Sequence, residues 1–440
     1  MRGIVSFYFA ALFCAFPLLA QDQNEPLQLQ INEGVIEPLP IAIPEFISEN
    51  REAEVNSQRI TELIIADLEG TGLFRVVTQE SHIGRITNIN SPVQYSDWRA
   101  INVEILLAGS ILANSDGTIT VRFHLHDVFG QSPIGQGVSY QGQAESWRRV
   151  AHKIADQIYN RITGESGYFD TQVAFVSEFG GKINREKRIS IMDYDGANVR
   201  YLTSGNALVI APRFAPDGRG LIYTSYETGV PAVIRHDIVS GARTRVINTT
   251  DMTFSPRFSG DGQKVILSRD LQGNIDIFQI EVATGVQTRL TTSRAIDTSP
   301  SYSPEGNRIV FESDRSGSPQ IYTMNLNQRN PTRVSFGRGT YGTPVWSPMG
   351  DYIAFTKRLG NKFHIGVMRS DGTEERLLSE SFLDEGPTWA PNGRVIMFFR
   401  ESPGEDGGPL LYSVDLTGRN LKRVPTPGFA SDPSWSPLRN

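Results

Sequence analysis

Acidic residues recur at one position of the sequence, shortly before a repeated proline. Asp297, Asp384, Glu385 and Asp432 each stand one to three residues ahead of such a proline. Carboxylates that converge in space can bind a cation, or accept hydrogen bonds from a polar partner. The alternative is that these short side chains cap turns. The sequence leaves both interpretations open.

Other residues with chemical potential are sparse. His124 and His126 lie two apart on one predicted strand face, where they could ligate a metal, but no third ligand is evident and a solvated strand face is the alternative. A serine hydrolase needs a Gly-x-Ser-x-Gly elbow, and the closest string, residues 164–167, lacks the pattern. No glycine-rich phosphate loop, Cys/His cluster or basic stripe is present. The sequence therefore favours binding over catalysis, and we expect neither a cofactor nor a metal.

The strongest pattern is a repeat in the last 230 residues, which consists of Pro-x-aromatic, then Ser or Ala, then Pro-x-Gly. Successive aromatic residues are spaced 44, 44, 44, 43 and 46 residues apart. The second copy has Gly260 in place of the second proline, and the last ends in Arg439. Proline and glycine provide the dihedral angles of a tight turn, and the aromatic residue is the packed anchor. The aromatic residues are Phe214, Phe258, Tyr302, Trp346, Trp389 and Trp435.

Each of the first five copies of the motif is followed by three short β-rich runs separated by turns, as in 309–311 and 321–324. Four short strands per 44 residues is typical of a propeller blade. Residues 173–177, 188–193 and 199–203 match a blade without its first strand, and nothing strand-like follows Trp435. We therefore expect the C-terminal segment to complete this blade and close a ring of six.

The preceding region predicts a smaller mixed domain. Ile60, Leu63, Ile64 and Leu68 recur at helical spacing before Gly70. Residues 147–158 show the same spacing before Gly164, and residues 119–126 alternate like a strand with one wet face. The expected fold is multidomain, with an N-terminal α/β domain (21–168) followed by an all-β six-bladed β-propeller (169–440) closed by its C-terminal strand.

The first twenty residues predict a cleaved secretory signal, because Arg2 precedes an apolar run that ends at Ala20. Cleavage there would remove Cys14, the only cysteine, so stability has to come from packing and sheet closure. The net charge of -6 offers no general attraction to nucleic acid or anionic lipid. No later stretch reaches membrane-spanning length. We expect a soluble protein outside the cytoplasm, without direct membrane insertion.

The predicted mature terminus carries an unusual segment. Leu27, Leu29 and Ile31 alternate with Gln28, Gln30 and Asn32 after a polar leader. Such a strand can pair with the sheet edge of another protein, or it can pair inside its own domain. The two arrangements can also be two states of one switch.

The export signal, the α/β domain, the sixfold motif and the string Ser-Phe-Leu-Asp-Glu-Gly-Pro-Thr-Trp-Ala-Pro-Asn-Gly at 381–393 together resemble the TolB family. The resemblance covers essentially the whole mature chain. It implies a periplasmic adaptor of the Tol-Pal envelope system that is not an enzyme. It also implies a role in outer-membrane integrity and in constriction during cell division.

The resemblance implies two binding regions. The propeller mouth would bind the lipoprotein Pal, and the N-terminal segment 21–33 would bind the C-terminal domain of TolA through Leu27, Gln28, Leu29, Gln30, Ile31 and Asn32. Other outer-membrane or peptidoglycan-associated partners are also conceivable. The competing class is a propeller enzyme or carbohydrate-binding module with its site in the central channel. The Pal-facing candidates are Met252, Ser255, Thr298, Ser299, Thr343, Glu385 and Asp432.

Overall fold

The computed structural model describes residues 37–182 and 184–439. Its N-terminal part holds one mixed sheet. The strands β1, β3, β4 and β2 pair in parallel, and β5 to β7 add antiparallel partners. The strands are β1 (Leu39–Ala42), β2 (Ile47–Ser48), β3 (Phe74–Val77), β4 (Ile105–Ala113), β5 (Thr118–Asp127), β6 (Ser132–Pro133) and β7 (Val138–Gln143).

Three α-helices accompany this sheet: α1 (Glu54–Glu69), α2 (Tyr95–Arg99) and α3 (Trp147–Thr163). The apolar stripes predicted before Gly70 and Gly164 are the buried faces of α1 and α3. Gly164 ends α3 with a positive φ of 73°, which glycine adopts without steric cost. Strand β5 alternates buried and half-buried residues as predicted. The expected α/β domain is confirmed.

The rest of the chain forms six four-stranded antiparallel sheets, so the predicted six-bladed propeller is confirmed. Blade 1 contains Gln172–Phe179, Glu186–Asp193 and Arg200–Tyr201. The outer strands are Gly220–Ser225, Ala232–Asp237 and Arg243–Arg245 in blade 2, and Lys264–Leu271, Asn274–Glu281 and Gln287–Arg289 in blade 3. They are Arg308–Ser313, Gln320–Asn325 and Thr332–Arg333 in blade 4, and Tyr352–Leu359, Lys362–Arg369 and Arg376–Leu377 in blade 5. In blade 6 they are Val395–Glu401, Pro409–Asp415 and Lys422–Arg423. The inner strands, each the first of its blade around the central channel, are Val209–Phe214, Thr253–Phe258, Asp297–Tyr302, Thr340–Trp346, Asp384–Trp389 and Phe429–Trp435.

The ring closes between the two ends of the propeller sequence. The C-terminal inner strand pairs antiparallel with the first strand of blade 1, from Phe429 opposite Glu178 to Trp435 opposite Val173. Ser431 Oγ donates to Glu178 Oε1 at 2.6 Å, and the Trp435 indole donates to Thr171 Oγ1 at 2.8 Å. The blade that lacked a strand in the sequence is therefore completed from the other end of the chain, as predicted.

The N-terminal domain packs on this point of closure. His152 Nδ1 lies 2.8 Å from Asp67 Oδ2, and the Tyr194 hydroxyl of blade 1 donates to Asp67 Oδ1 at 2.6 Å. The Tyr194 ring in turn stacks on Trp435. A single hydrophobic cluster joins α1 and α3 to Trp435 and to blade 6. Docking of the domain and closure of the ring therefore depend on the same side chains.

Among the described residues, no helix combines the length and apolar character needed to cross a membrane.

Candidate functional site

Each inner strand carries a bulge at the residue before its repeated proline. The ladder to the second strand of the blade skips two residues there, and the residue before the proline has a positive φ between 45° and 66° in all six blades. Bulges of this kind re-aim side chains and backbone groups away from the ladder. The residues with positive φ are Ala211, Ser255, Ser299, Thr343, Gly386 and Asp432.

These bulges place backbone strain in the wall of the channel. Only Gly386 is a glycine, and Thr343 is β-branched with a φ of 45°, a conformation that such residues rarely adopt. Strained backbone of this kind persists where the surrounding fold enforces it, and it is concentrated at binding sites. Two of the strained amides donate to acidic side chains, Ala211 N–H to Asp432 Oδ2 at 3.2 Å and Thr343 N–H to Glu312 Oε2 at 3.3 Å.

Exposed apolar side chains surround one end of the channel. All inner strands run in the same direction about the axis, so the loops that lead into them meet at one end, which we call the mouth. Five of these loops present a large exposed apolar residue, with exposed fractions up to 73% at Phe336. Scattered surface apolar residues are common, but a set at one end of a molecule indicates a docking surface. We call this set the mouth cluster: Leu208, Met252, Ile296, Phe336 and Phe382.

The channel wall next to the mouth is acidic. Burial raises the pKa of Glu385 to about 7, and the neighbouring carboxylates of Asp432, Glu312 and Glu401 add to this effect. Burial likewise raises the pKa of Glu312. Burial and nearby like charges therefore favour the protonated form of Glu385 in the folded chain.

The pKa of Glu385 predicts a pH-dependent stability. In the unfolded chain this carboxyl ionises near pH 4.5, whereas in the folded chain it stays protonated up to about pH 7. The folded state therefore loses stability as the pH rises between these values, by up to about 3 kcal/mol. The Glu385→Gln variant has no carboxyl to ionise at this position. Urea titrations should therefore show that the variant exceeds the parent chain in free energy of unfolding by more at pH 8 than at pH 5.

Glu405→Gln, in an exposed loop of the same blade, is the matched control and should change little at either pH. An equal pH response of the Glu385→Gln variant and the parent chain would contradict the assigned pKa.

Two of the acidic residues singled out in the sequence have a different role. Asp297 and Asp384 are buried and form bidentate ion pairs, Asp297 with Arg315 at 2.9 Å and Asp384 with Arg400 at 2.7 and 2.8 Å. Their carboxylates are committed within their own blades. They are therefore neither open to a channel ligand nor simple turn caps, because each one is paired with an arginine of its own blade.

The predicted histidine pair does not gather metal ligands. His126 Nδ1 lies 3.1 Å from the Tyr95 hydroxyl, and burial together with His124 lowers the pKa of His126. Across residues 37–182 and 184–439, three candidate ligands come together only at His152, Asp193 and Asp195, in the contact between the domains. Arg148 pairs with both carboxylates there.

The structure brings the seven predicted partner-facing residues to the channel. Met252 is exposed in the mouth, and the other six are partly exposed along the bulged inner strands. Sequence reasoning missed the rest of the mouth cluster. The signal was present, because Leu208, Met252 and Ile296 all stand four residues before a repeated proline. The predicted segment Leu27–Asn32 and the predicted signal lie outside the described residues.

Comparison with known proteins assigns the chain to a family. The TolB beta propeller domain matches residues 159–439, and the TolB amino-terminal domain matches residues 27–134. A Tol-Pal system protein TolB from Jannaschia sp. (strain CCS1) is 59% identical, with 97% of this chain and 96% of the relative covered. The chain belongs to the TolB family. The family resemblance stated from the sequence is confirmed.

Further relatives agree with this assignment. The Tol-Pal system protein TolB from Ruegeria sp. (strain TM1040) is 52% identical, and the match covers 100% of both chains. The crystal structure of TolB from Acinetobacter baumannii superposes with a TM-score of 0.81 at 26% identity, covering 91% of this chain and 97% of that one. The TolB fold therefore extends over both domains described above.

Proposed function

We propose that this TolB-family chain is a non-enzymatic adaptor of the Tol-Pal system in the periplasm. In this proposal the mouth binds the lipoprotein Pal, and the N-terminal segment binds TolA. Together these contacts would maintain outer-membrane integrity and support constriction during cell division. The relatives named Tol-Pal system protein TolB support the assignment to this system.

The observation that carries the proposal is the mouth cluster beside the strained, acidic channel wall. Five exposed apolar side chains around one opening offer area that water solvates poorly, and the partly exposed Ser299, Thr343 and Asp432 offer polar contacts just inside. An apolar surface around a polar pocket suits a folded partner that inserts a loop. We assign the Pal-contacting role to Met252, Ser255, Thr298, Ser299, Thr343, Glu385 and Asp432, and extend it to the other members of the mouth cluster.

The N-terminal segment supports the second contact. Leu27, Leu29 and Ile31 alternate with polar residues and follow a predicted signal cleaved after Ala20. A strand near a chain terminus can add to the sheet edge of TolA by main-chain hydrogen bonds. The division into a signal (1–20), an N-terminal domain (21–168) and a propeller (169–440) belongs to the same proposal.

A binding experiment separates this function from the rival class. Immobilised mature chain should capture purified Pal and show no saturable binding or turnover of glycans. Failure to capture Pal, together with glycan binding or turnover, would favour a carbohydrate-binding module or a propeller enzyme.

Removing residues 21–33 should abolish capture of the TolA C-terminal domain and leave capture of Pal within about twofold, because the mouth lies elsewhere in the chain. Surface plasmon resonance with each partner measures both affinities on the same preparation. Equal loss of both partners would contradict separate sites.

A further inference from the structure

Two arginines line a cavity in the channel beyond the acidic wall. The cavity has a volume of about 320 Å³ and lies toward the repeated Ser-Pro turns, where the inner strands end. Arg213 and Arg257 stand at equivalent positions of neighbouring blades, one residue after the repeated proline, and both contribute to its lining. Both side chains are partly exposed to its interior.

The other blades show what this position does structurally. In three of them it is a hydroxyl residue that accepts the backbone N–H of the aromatic residue in the next inner strand. These bonds are Trp346 N–H to Ser301 Oγ at 3.3 Å, Trp435 N–H to Thr388 Oγ1 at 3.2 Å and Phe214 N–H to Ser434 Oγ at 3.2 Å. A guanidinium has no acceptor, so Arg213 and Arg257 cannot make this bond between blades. The other four blades pack with a neutral residue at this position, so the ring does not require a guanidinium there.

The two positive charges are poorly balanced. Within the described part of the chain, neither guanidinium forms an ion pair at 4.0 Å or less, and Arg213 Nη1 donates to the carbonyl of its neighbour Pro212 at 2.7 Å. Burial and the charge of Arg213 hold the pKa of Arg257 well below its usual value. Burial also lowers the pKa of Arg213, and the carboxylate of Asp432 offsets this only in part. Two neighbouring cations that are largely withdrawn from bulk water cost free energy unless an anion accompanies them.

We propose that the channel holds an oxyanion between Arg213 and Arg257. Each guanidinium presents a planar fork of N–H donors that matches a carboxylate or a phosphate. The oxyanion can come from a free ion, or from an acidic side chain that a bound protein inserts into the channel. The second source rests on the proposed function, since it requires Pal at the mouth.

The test uses the mature chain and a double variant, Arg213→Ser with Arg257→Ser, which installs the residue found in two other blades. Arg235→Ser, an exposed strand residue outside the cavity, is the matched control. Inorganic phosphate is titrated calorimetrically at constant ionic strength, and Pal is titrated separately. If the double variant does not fold, Arg257→Gln alone serves for the same measurements.

A free-ion site predicts saturable phosphate binding that weakens at least tenfold in the double variant and persists in Arg235→Ser, with Pal affinity unchanged. An inserted carboxylate predicts instead that Pal affinity falls at least tenfold in the double variant. If neither affinity depends on the two arginines, the proposal is wrong. If Pal does not bind at all, the proposed function fails, and the phosphate titration alone decides whether the oxyanion site exists.

Discussion

Deleting residues 433–440 is expected to lower the free energy of unfolding of the propeller by at least about 4 kcal/mol, the cost of truncating one large buried aromatic side chain. The deletion removes Trp435, which is buried and donates its indole N–H to Thr171. It removes the ladder pairs of Ser434 and Trp435 with blade 1 and leaves the edge of that blade unpaired at Val173 and Ala174. It also removes the ring on which Tyr194 stacks, so docking of the N-terminal domain weakens as well.

Urea unfolding followed by tryptophan fluorescence and by circular dichroism measures this loss. The matched control is a chain that lacks only the last two residues, which keeps the strand but loses the contact of Arg439 Nε with Asp170 Oδ1 at 2.8 Å. The free energy of unfolding of this control chain should fall by only about 1–3 kcal/mol. Unfolding curves for the 433–440 deletion that overlay those of the full chain would show that the ring does not depend on this closure.

Placing two carboxylates in the mouth cluster is expected to weaken Pal binding at least 100-fold. In Met252→Glu with Ile296→Glu, both new charges would lose water on docking against an apolar partner surface. A 100-fold loss corresponds to about 2.7 kcal/mol at 25 °C. Both positions are exposed in the free protein, so its melting temperature should change little. Isothermal titration of Pal into each chain gives the affinity.

The matched control places the same charges at the other end of the propeller. Val239 and Val286 are exposed in turns that follow the third strands of blades 2 and 3, at the end opposite the mouth. Val239→Glu with Val286→Glu adds the same charge and should leave the affinity within about twofold. Comparable losses in the two double variants would mean that net charge, rather than the mouth, controls binding.

The propeller could be predicted from the sequence because its period is visible. Each blade repeats one packed aromatic residue, and four of the six copies keep the complete Pro-x-Gly turn. The missing strand could be assigned because Trp435 has nothing strand-like after it. The helices ending at Gly70 and Gly164 were visible for a similar reason, since their apolar residues recur at helical spacing. Local sequence patterns were therefore sufficient to predict most of the fold.

The chemistry of the channel was less visible, because it depends on contacts between blades. The residue types of Ala211 and Ser255 do not predict the positive φ that both adopt in the ring. In the sequence Asp297 could not be distinguished from an open carboxylate, because its partner Arg315 is known only from the fold. Arg213 and Arg257 look like ordinary strand arginines until the hydroxyl residues of the other blades reveal what that position normally does.

A site-specific crosslinking map with Pal tests the binding mouth most directly. Photoreactive residues placed singly at Ile296 and Phe336 should give crosslinks to Pal, because these side chains are exposed around the opening. The same group at Val239 or Val286 should give none. Crosslinks from Val239 or Val286, with none from Ile296 and Phe336, would contradict the assignment of the mouth as the surface that binds Pal.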